Sequence, residues 1–111
     1  MSTSDKQFLK ALNQVIDKRI SESDLSSTTL APDFFFSPRH FNRKVNAATG
    51  MNTTLYIRRR RLEHACELLR ATRLSISAIF LECGFESANY FSRIFRQEMG
   101  MTPSAYRKGK E

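Results

Sequence analysis

Cysteine, glycine and proline are scarce in this sequence of 111 residues. Two cysteines cannot form a disulfide framework or, unaided, a four-ligand zinc site. Four glycines and three prolines are too few for a succession of tight hairpins, which disfavours an all-β domain. No apolar run approaches the ~20 residues of a transmembrane helix, and no signal-peptide segment follows the N-terminus. We therefore expect a cytoplasmic protein with reduced thiols, no membrane contact, no metal and no cofactor.

Positive charge is concentrated in the middle of the chain. The net charge is +7, and residues 37–73 carry nine basic and two acidic groups, while the flanking thirds are close to neutral. Such a surplus favours a polyanionic partner, either nucleic acid or an anionic membrane surface. The surplus centres on residues 58–61, four consecutive arginines that would span about 300° of a helix. At least one of them should pair with an acidic group or lie along the core, and we expect Arg59 and Arg60 to reach phosphate.

Apolar residues at helical spacing predict an all-α fold of about seven helices, with no strand of useful length. The first helix is predicted at about residues 5–20, with Ser4 in its cap. Pro32 should shorten or kink the second helix. The longest helix is predicted from about residue 53 to 72. Further helix starts follow from the cap residues Ser26, Ser37, Ser75, Ser87 and Thr102, and Gly50 and Gly100 should end two of the helices.

The sequence repeats itself at an offset of 50 residues. The matching pairs are Ser37 and Ser87, Phe41 and Phe91, Arg43 and Arg93, Gly50 and Gly100, and Tyr56 and Tyr106. Each copy predicts a short helix, a turn and a second, Ser-capped helix, which is the layout of a helix-turn-helix. A rigid linker helix can then hold two recognition helices about 34 Å apart, the spacing of successive major-groove faces. A duplicated scaffold is the alternative, but the polar side chains expected on both second helices favour DNA.

The predicted organisation has four parts. They are a lead-in helix at 1–24, a first helix-turn-helix at 25–52, a linker helix at 53–73, and a second helix-turn-helix with a short final helix at 74–111.

With these features the chain resembles the DNA-binding domain of the AraC/XylS family of bacterial transcription regulators, from about residue 25 to 107. The second half carries the stronger motif, Gly84-Phe85-x-Ser87-x2-Tyr90-Phe91-x-Arg93-x-Phe95-Arg96-x3-Gly100-Met101-Thr102-Pro103. The N-terminal helix is similar, more weakly, to the segment that leads into this domain in hybrid two-component regulators. The sequence departs from the family at Thr53, where a proline is common, and at Phe80, where a small alanine is usual.

The resemblance implies a monomeric domain that inserts two recognition helices into successive major-groove segments of double-stranded DNA. Its base-facing positions correspond here to Arg39, Asn42, Arg43, Asn89, Ser92 and Arg93, with Ala88 limited to methyl contact. Phosphates would be held by Lys44, Arg96 and the backbone at Ser37, Ser75 and Ser87. The resemblance also implies an effector, sensor or receiver domain in a longer parent chain.

Three other functions are alternatives to sequence-specific DNA binding. Nonspecific nucleic-acid binding would need the charge alone. An interaction module for RNA polymerase or a second protomer would use an exposed Phe34-Phe35 pair. An enzyme is disfavoured, because the sequence offers two histidines, no closely spaced pair of carboxylates, no phosphate loop and no nucleophile with its base.

Overall fold

A computed structural model describes residues 2–109, which fold into seven α-helices and no strand. The helices are α1 (Thr3–Lys18), α2 (Ser27–Leu30), α3 (Pro38–Thr49), α4 (Thr53–Ala71), α5 (Ile76–Glu82), α6 (Ala88–Met99) and α7 (Pro103–Lys108), with a 3-10 turn at Ala31–Phe34. The all-α prediction is confirmed. Within the same residues, no helix combines the length and the apolarity needed to cross a membrane.

Local capping explains where most of these helices begin. The side chains of the five predicted caps each accept a hydrogen bond from the backbone N–H three residues further on. The first helix is the exception, since Ser2 rather than Ser4 accepts the N–H of Asp5. This cap places the Asp5 carboxylate in the first turn, where the helix dipole favours negative charge, and α1 starts two residues earlier than predicted.

A glycine ends each of the two predicted recognition helices. Gly50 and Gly100 have φ values of 75° and 76°, a left-handed conformation that few other residues adopt without strain. Their N–H groups donate to the carbonyls of Asn46 and Arg96 and close the last turns of α3 and α6. The two repeats therefore begin and end their second helices in the same way.

The described residues divide into two compact units, and the division falls inside α4 between Arg60 and Arg61. The short segment Ser21–Ser23, which follows α1, belongs to the second unit. In the first unit α1 packs into the same core as α2, α3 and the start of α4. The hydroxyl of Tyr56 also donates to Oδ1 of Asn13. The lead-in helix is thus part of the first unit's core, whose most deeply buried residues are Leu12, Ile16, Leu30, Ala31, Phe41 and Val45.

The second unit has its own core around α6, which includes Leu62, Ala65, Leu69, Ile79, Phe91 and Phe95. Arg107 of α7 donates to the carbonyls of Leu69 and Thr72 and ties α7 to the end of α4. Phe80 is half-buried at the edge of this core, with its ring stacked on Phe91 at 6.4 Å between centroids. A larger side chain than the family's alanine is accommodated because it lies partly outside the core.

The three consecutive phenylalanines before α3 do not share one environment. Pro32 lies in the 3-10 turn that follows the short α2, as its position predicted. Phe34 is half-buried, with its ring centroid 5.2 Å from that of Phe8 and 5.4 Å from that of Phe41. Phe35 is 97% exposed and has a left-handed φ of 59°. The expectation of an exposed Phe34-Phe35 pair was wrong, because the turn directs only Phe35 outward and Phe34 completes the aromatic cluster.

Candidate nucleic-acid interface

Helix α3 presents a polar face opposite its buried one. Phe41, Val45 and Ala48 are buried at helical spacing, so the side chains between them point to solvent. On this polar face lie three predicted base readers, Arg39, Asn42 and Arg43, which are all exposed. Ser37 caps the helix and Pro38 occupies its first turn, which fixes where the face begins.

Two side chains of α3 make contacts that orient them within the first unit. Nζ of Lys44 lies 5.6 Å from the ring centroid of Phe8, a cation–π geometry, and the side chain is half-buried. The ring of His40 lies 4.4 Å from that of Phe36. Lys44 would have to leave Phe8 to reach a phosphate, whereas Arg39 and Arg43 are already exposed.

Asn42 differs from its neighbours because the oxygen and the nitrogen of its amide each form a hydrogen bond. Its Oδ1 accepts a hydrogen bond from Oγ1 of Thr53, and its Nδ2 donates to Oγ of Ser27 at 3.4 Å. Sequence analysis did not identify Thr53 as part of the site. One sign of this role was present in the sequence, because Thr53 carries a hydroxyl at a position where proline is common in the family.

Helix α6 has the same division into two faces. Phe91, Ile94 and Phe95 are buried, while the predicted DNA-contacting residues of this helix are exposed, namely Ala88, Asn89, Ser92, Arg93 and Arg96. Ser92, Arg93, Arg96 and Gln97 line a shallow cleft together with Thr102, the cap of α7. Two of the five residues that line this cleft are arginines, whose guanidinium groups can donate charge-assisted hydrogen bonds to an anion.

The guanidinium of Arg93 lies over an aromatic ring of its own helix. Its central carbon lies 5.5 Å from the ring centroid of Tyr90, one turn earlier in α6. The Tyr90 ring lies in turn 6.1 Å from that of Phe85, which is buried. Sequence analysis did not assign Tyr90 a role, although an aromatic residue three positions before an arginine on a helix is a usable signal.

The four consecutive arginines separate into different environments, as the helix geometry predicted. Arg59 is exposed. NH2 of Arg60 lies 2.7 Å from both carboxylate oxygens of Asp17 in α1, an interaction within the first unit. NH2 of Arg61 donates to the carbonyl of Glu22 at 2.6 Å, within the second unit. Of the two arginines in this run that are predicted to bind phosphate, Arg59 is exposed, and Arg60 would have to leave Asp17.

The serine caps at Ser37, Ser75 and Ser87 use their hydroxyls on their own helices. Each hydroxyl caps one backbone N–H group of the first turn. The other N–H groups of that turn have no partner within the helix, and such groups attract anions at a helix N-terminus.

The cysteines belong to the core of the second unit. Neither thiol forms a disulfide and both side chains are buried, as predicted. Sγ of Cys66 lies 3.9 Å from Sδ of Met99. Burial raises the pKa of the Cys83 thiol to about 12. Between residues 2 and 109, no three His, Cys, Asp or Glu side chains are grouped in a way that could hold a metal ion.

Comparison with known proteins identifies this arrangement. A family model described as a helix-turn-helix domain matches residues 30–109. The HTH-type transcriptional activator RhaR of Salmonella arizonae is 46% identical over 71 residues, which are 64% of this chain and 25% of that protein. The chain thus spans about a quarter of the length of the curated relatives it matches.

Solved structures share the fold over nearly the whole chain. The C-terminal domain of AraT, a response regulator from Geobacillus stearothermophilus, has a TM-score of 0.82 and 32% identity, covering 90% of this chain and 83% of that one. The DNA-binding domain of AdpA, solved in complex with a target DNA, has a TM-score of 0.82 and 27% identity, covering 91% and 90%. A transcriptional regulator of Chromobacterium violaceum, described as an AraC-type DNA-binding domain-containing protein, has a TM-score of 0.80 and 31% identity, covering 87% of this chain and 86% of that one. The chain therefore belongs to the AraC family of helix-turn-helix transcription regulators and comprises the DNA-binding domain of such a regulator.

Proposed function

We propose that this domain recognises a specific double-stranded DNA sequence by placing α3 and α6 in successive major-groove segments. The observation that carries the proposal is the repeated polar face, because the same position on both helices is an exposed arginine, Arg43 in α3 and Arg93 in α6. Arginine can donate two hydrogen bonds to one guanine, the commonest specific contact in the major groove. The family comprises DNA-binding regulators and not enzymes.

The base readers that we propose are Arg39 and Arg43 on α3, with Asn89, Ser92 and Arg93 on α6. Asn89 is suited to adenine and Ser92 to several bases, while the methyl group of Ala88 is limited to contact with thymine. Asn42 lies on the same face, but both polar atoms of its amide already form hydrogen bonds to neighbouring helices.

We assign phosphate contacts to the basic side chains Arg59, Arg96, Lys44 and Arg60, and to the backbone N–H groups at the helix starts capped by Ser37, Ser75 and Ser87. Arg59 and Arg96 are exposed and need no rearrangement. Arg60 and Lys44 would exchange Asp17 and the Phe8 ring for phosphate. These contacts set register and affinity without reading sequence.

Selection of bound duplexes from a random oligonucleotide pool tests the proposal. We expect enrichment of one motif with two separated parts. The domain should bind that duplex about 10³-fold or more tightly than random duplex at the same salt concentration. Nonspecific binding by charge alone would give no enriched motif and nearly equal affinities. Salt dependence does not separate the two functions, because both release counterions.

We further propose that the domain acts in the bacterial cytoplasm, where its DNA target lies, and within a longer regulator. The 71 matched residues make up 25% of the curated relative, which is therefore about two and a half times as long as this chain. That length leaves room in such proteins for the expected effector, sensor or receiver domain.

Protein contact is a second candidate function, and Phe35 favours it. A phenylalanine that is 97% exposed at a left-handed φ contributes little to the core. RNA polymerase or a second protomer is the candidate partner. Phe35→Ala should leave DNA affinity unchanged and reduce transcription activated in a purified system. Equal transcription by both proteins would contradict this role.

A further inference from the structure

A buried hydroxyl at the start of α4 and an exposed amide on α3 form one hydrogen-bonded group in the first unit. Thr53 is polar but only 3% exposed. Its Oγ1 donates to Oδ1 of Asn42, and Nδ2 of Asn42 donates to Oγ of Ser27 at 3.4 Å. Since Ser27 begins α2 and Thr53 begins α4, the amide of Asn42 joins α3 to both of its neighbouring helices.

Comparison of the two repeats explains why Thr53 needs a hydrogen-bond acceptor. At the offset of 50 residues, Thr53 corresponds to Pro103 and Asn42 to Ser92. Thr53 and Pro103 are each the first residue of a helix and each is buried. Proline has no hydroxyl and needs no acceptor there, whereas a buried hydroxyl without a partner costs folding free energy. Asn42 supplies the acceptor that the threonine requires.

The same hydrogen bonds limit what Asn42 can do on DNA. Asparagine recognises adenine with both amide atoms, Oδ1 as acceptor and Nδ2 as donor. In this structure Oδ1 is occupied by Thr53 and Nδ2 by Ser27. Each atom keeps one further lone pair or hydrogen, so the two bonds fix the orientation of the amide. If the amide rotated out of that orientation to meet an adenine, the Thr53 hydroxyl would be left buried without its acceptor.

We infer that Asn42 is a positioning residue, which fixes α3 against α2 and α4 so that Arg39 and Arg43 meet the bases at a set angle. The inference rests on the proposed function, because it assigns base reading by α3 to these two arginines. It differs from the expectation that Asn42 itself contacts a base. A base reader influences one base pair, while a positioning residue influences every base pair that its helix reads.

The test compares base preferences of variants of the full 111-residue chain. The probe is a library of duplexes in which each base pair of the selected motif is varied singly. Arg39→Ala and Arg43→Ala identify the base pairs that α3 reads, and Arg93→Ala identifies one that α6 reads. Ser92→Ala is the comparison at the position in the second unit that corresponds to Asn42. As a proposed base reader, Ser92 should influence one base pair and not the whole set read by its helix.

We expect Asn42→Ala to reduce preference about 3- to 10-fold at all base pairs read by α3, and to leave the base pair read by Arg93 unchanged. Adding Thr53→Pro to Asn42→Ala removes the orphaned hydroxyl and copies the residue of the second unit. Proline is favoured at the first position of a helix. The double variant should regain both the melting temperature and the preferences of the original chain.

The rescue distinguishes the two roles even if Asn42→Ala alone does not fold. Loss of preference at a single base pair that Thr53→Pro does not repair would overturn the inference. Unchanged preferences in Asn42→Ala would also overturn it, as would a double variant that does not regain its melting temperature. If the original chain selects no motif, the proposed function fails instead, so the two failures are distinguishable.

Discussion

Replacement of Arg93 by alanine tests base reading by α6 most directly. The side chain is exposed on the polar face of α6, and its guanidinium is held 5.5 Å from the ring centroid of Tyr90. A bidentate arginine–guanine contact discriminates against the wrong base by about 1–3 kcal/mol. At ~1.4 kcal/mol for each factor of ten, Arg93→Ala should weaken binding to the selected duplex by about 5- to 150-fold.

Substitution of Tyr90 should have a smaller effect on DNA binding than removal of the Arg93 side chain. An exposed cation–π pair contributes about 0.5–1 kcal/mol, and Tyr90 is 38% exposed. Tyr90→Leu should therefore weaken binding by about 2- to 5-fold, while Tyr90→Phe keeps the ring and should bind normally. The effect of Tyr90→Leu should disappear when Arg93 is already alanine, because the ring then has no guanidinium to orient.

Fluorescence anisotropy titrations measure these affinities on the selected duplex, on its single-base-pair variants and on random duplex. Arg59→Ala is the control, since loss of a phosphate contact should weaken all duplexes alike and reduce the salt slope by about 0.9. Arg93→Ala should instead relax preference at one base pair. If Arg93→Ala weakens selected and random duplexes by the same factor, Arg93 does not read bases and the reasoning is refuted.

The remaining predictions concern the stability of the scaffold. Gly50→Ala should destabilise the domain by about 1–2 kcal/mol in urea denaturation, with Gly50→Asn milder. A Cβ at Gly50 would have no neighbour within 4 Å, so the cost comes from the left-handed backbone, and an unchanged midpoint would contradict it. Phe34→Ala should cost roughly 2–3 kcal/mol, whereas Phe35→Ala should stay within about 0.5 kcal/mol; similar losses would refute the separation of the two rings. Because burial raises the pKa of Cys83 from 9.0 to about 12, the neutral thiol favours the folded state, and its contribution is full below pH 9 and lost as the pH rises toward 12. Cys83→Ala should therefore flatten the decline in stability over that range, and thiol titration of the native chain at pH 8 should find Cys83 slow to react.

Most of the fold was predictable because its signals are local in the sequence. A serine or threonine cap, a proline in the first turn and a glycine at the end each act within one turn of the helix they limit. The positions of α3 and α6 followed from such residues, as did their buried faces from the helical period. Ser2 was missed as the cap of α1, because Ser2 and Ser4 both suit that role and the sequence does not choose between them.

The sequence by itself determined the seven helices, the repeat and the face on which each arginine lies. Tertiary structure alone decided which polar side chains of separate helices meet one another. Arg60 meets Asp17 across 43 positions, and Asn42 meets Thr53 across 11. Periodicity specifies the direction in which a side chain points, but the group that it meets depends on how separate helices pack. That packing keeps Arg43 and Arg93 exposed and engages Asn42.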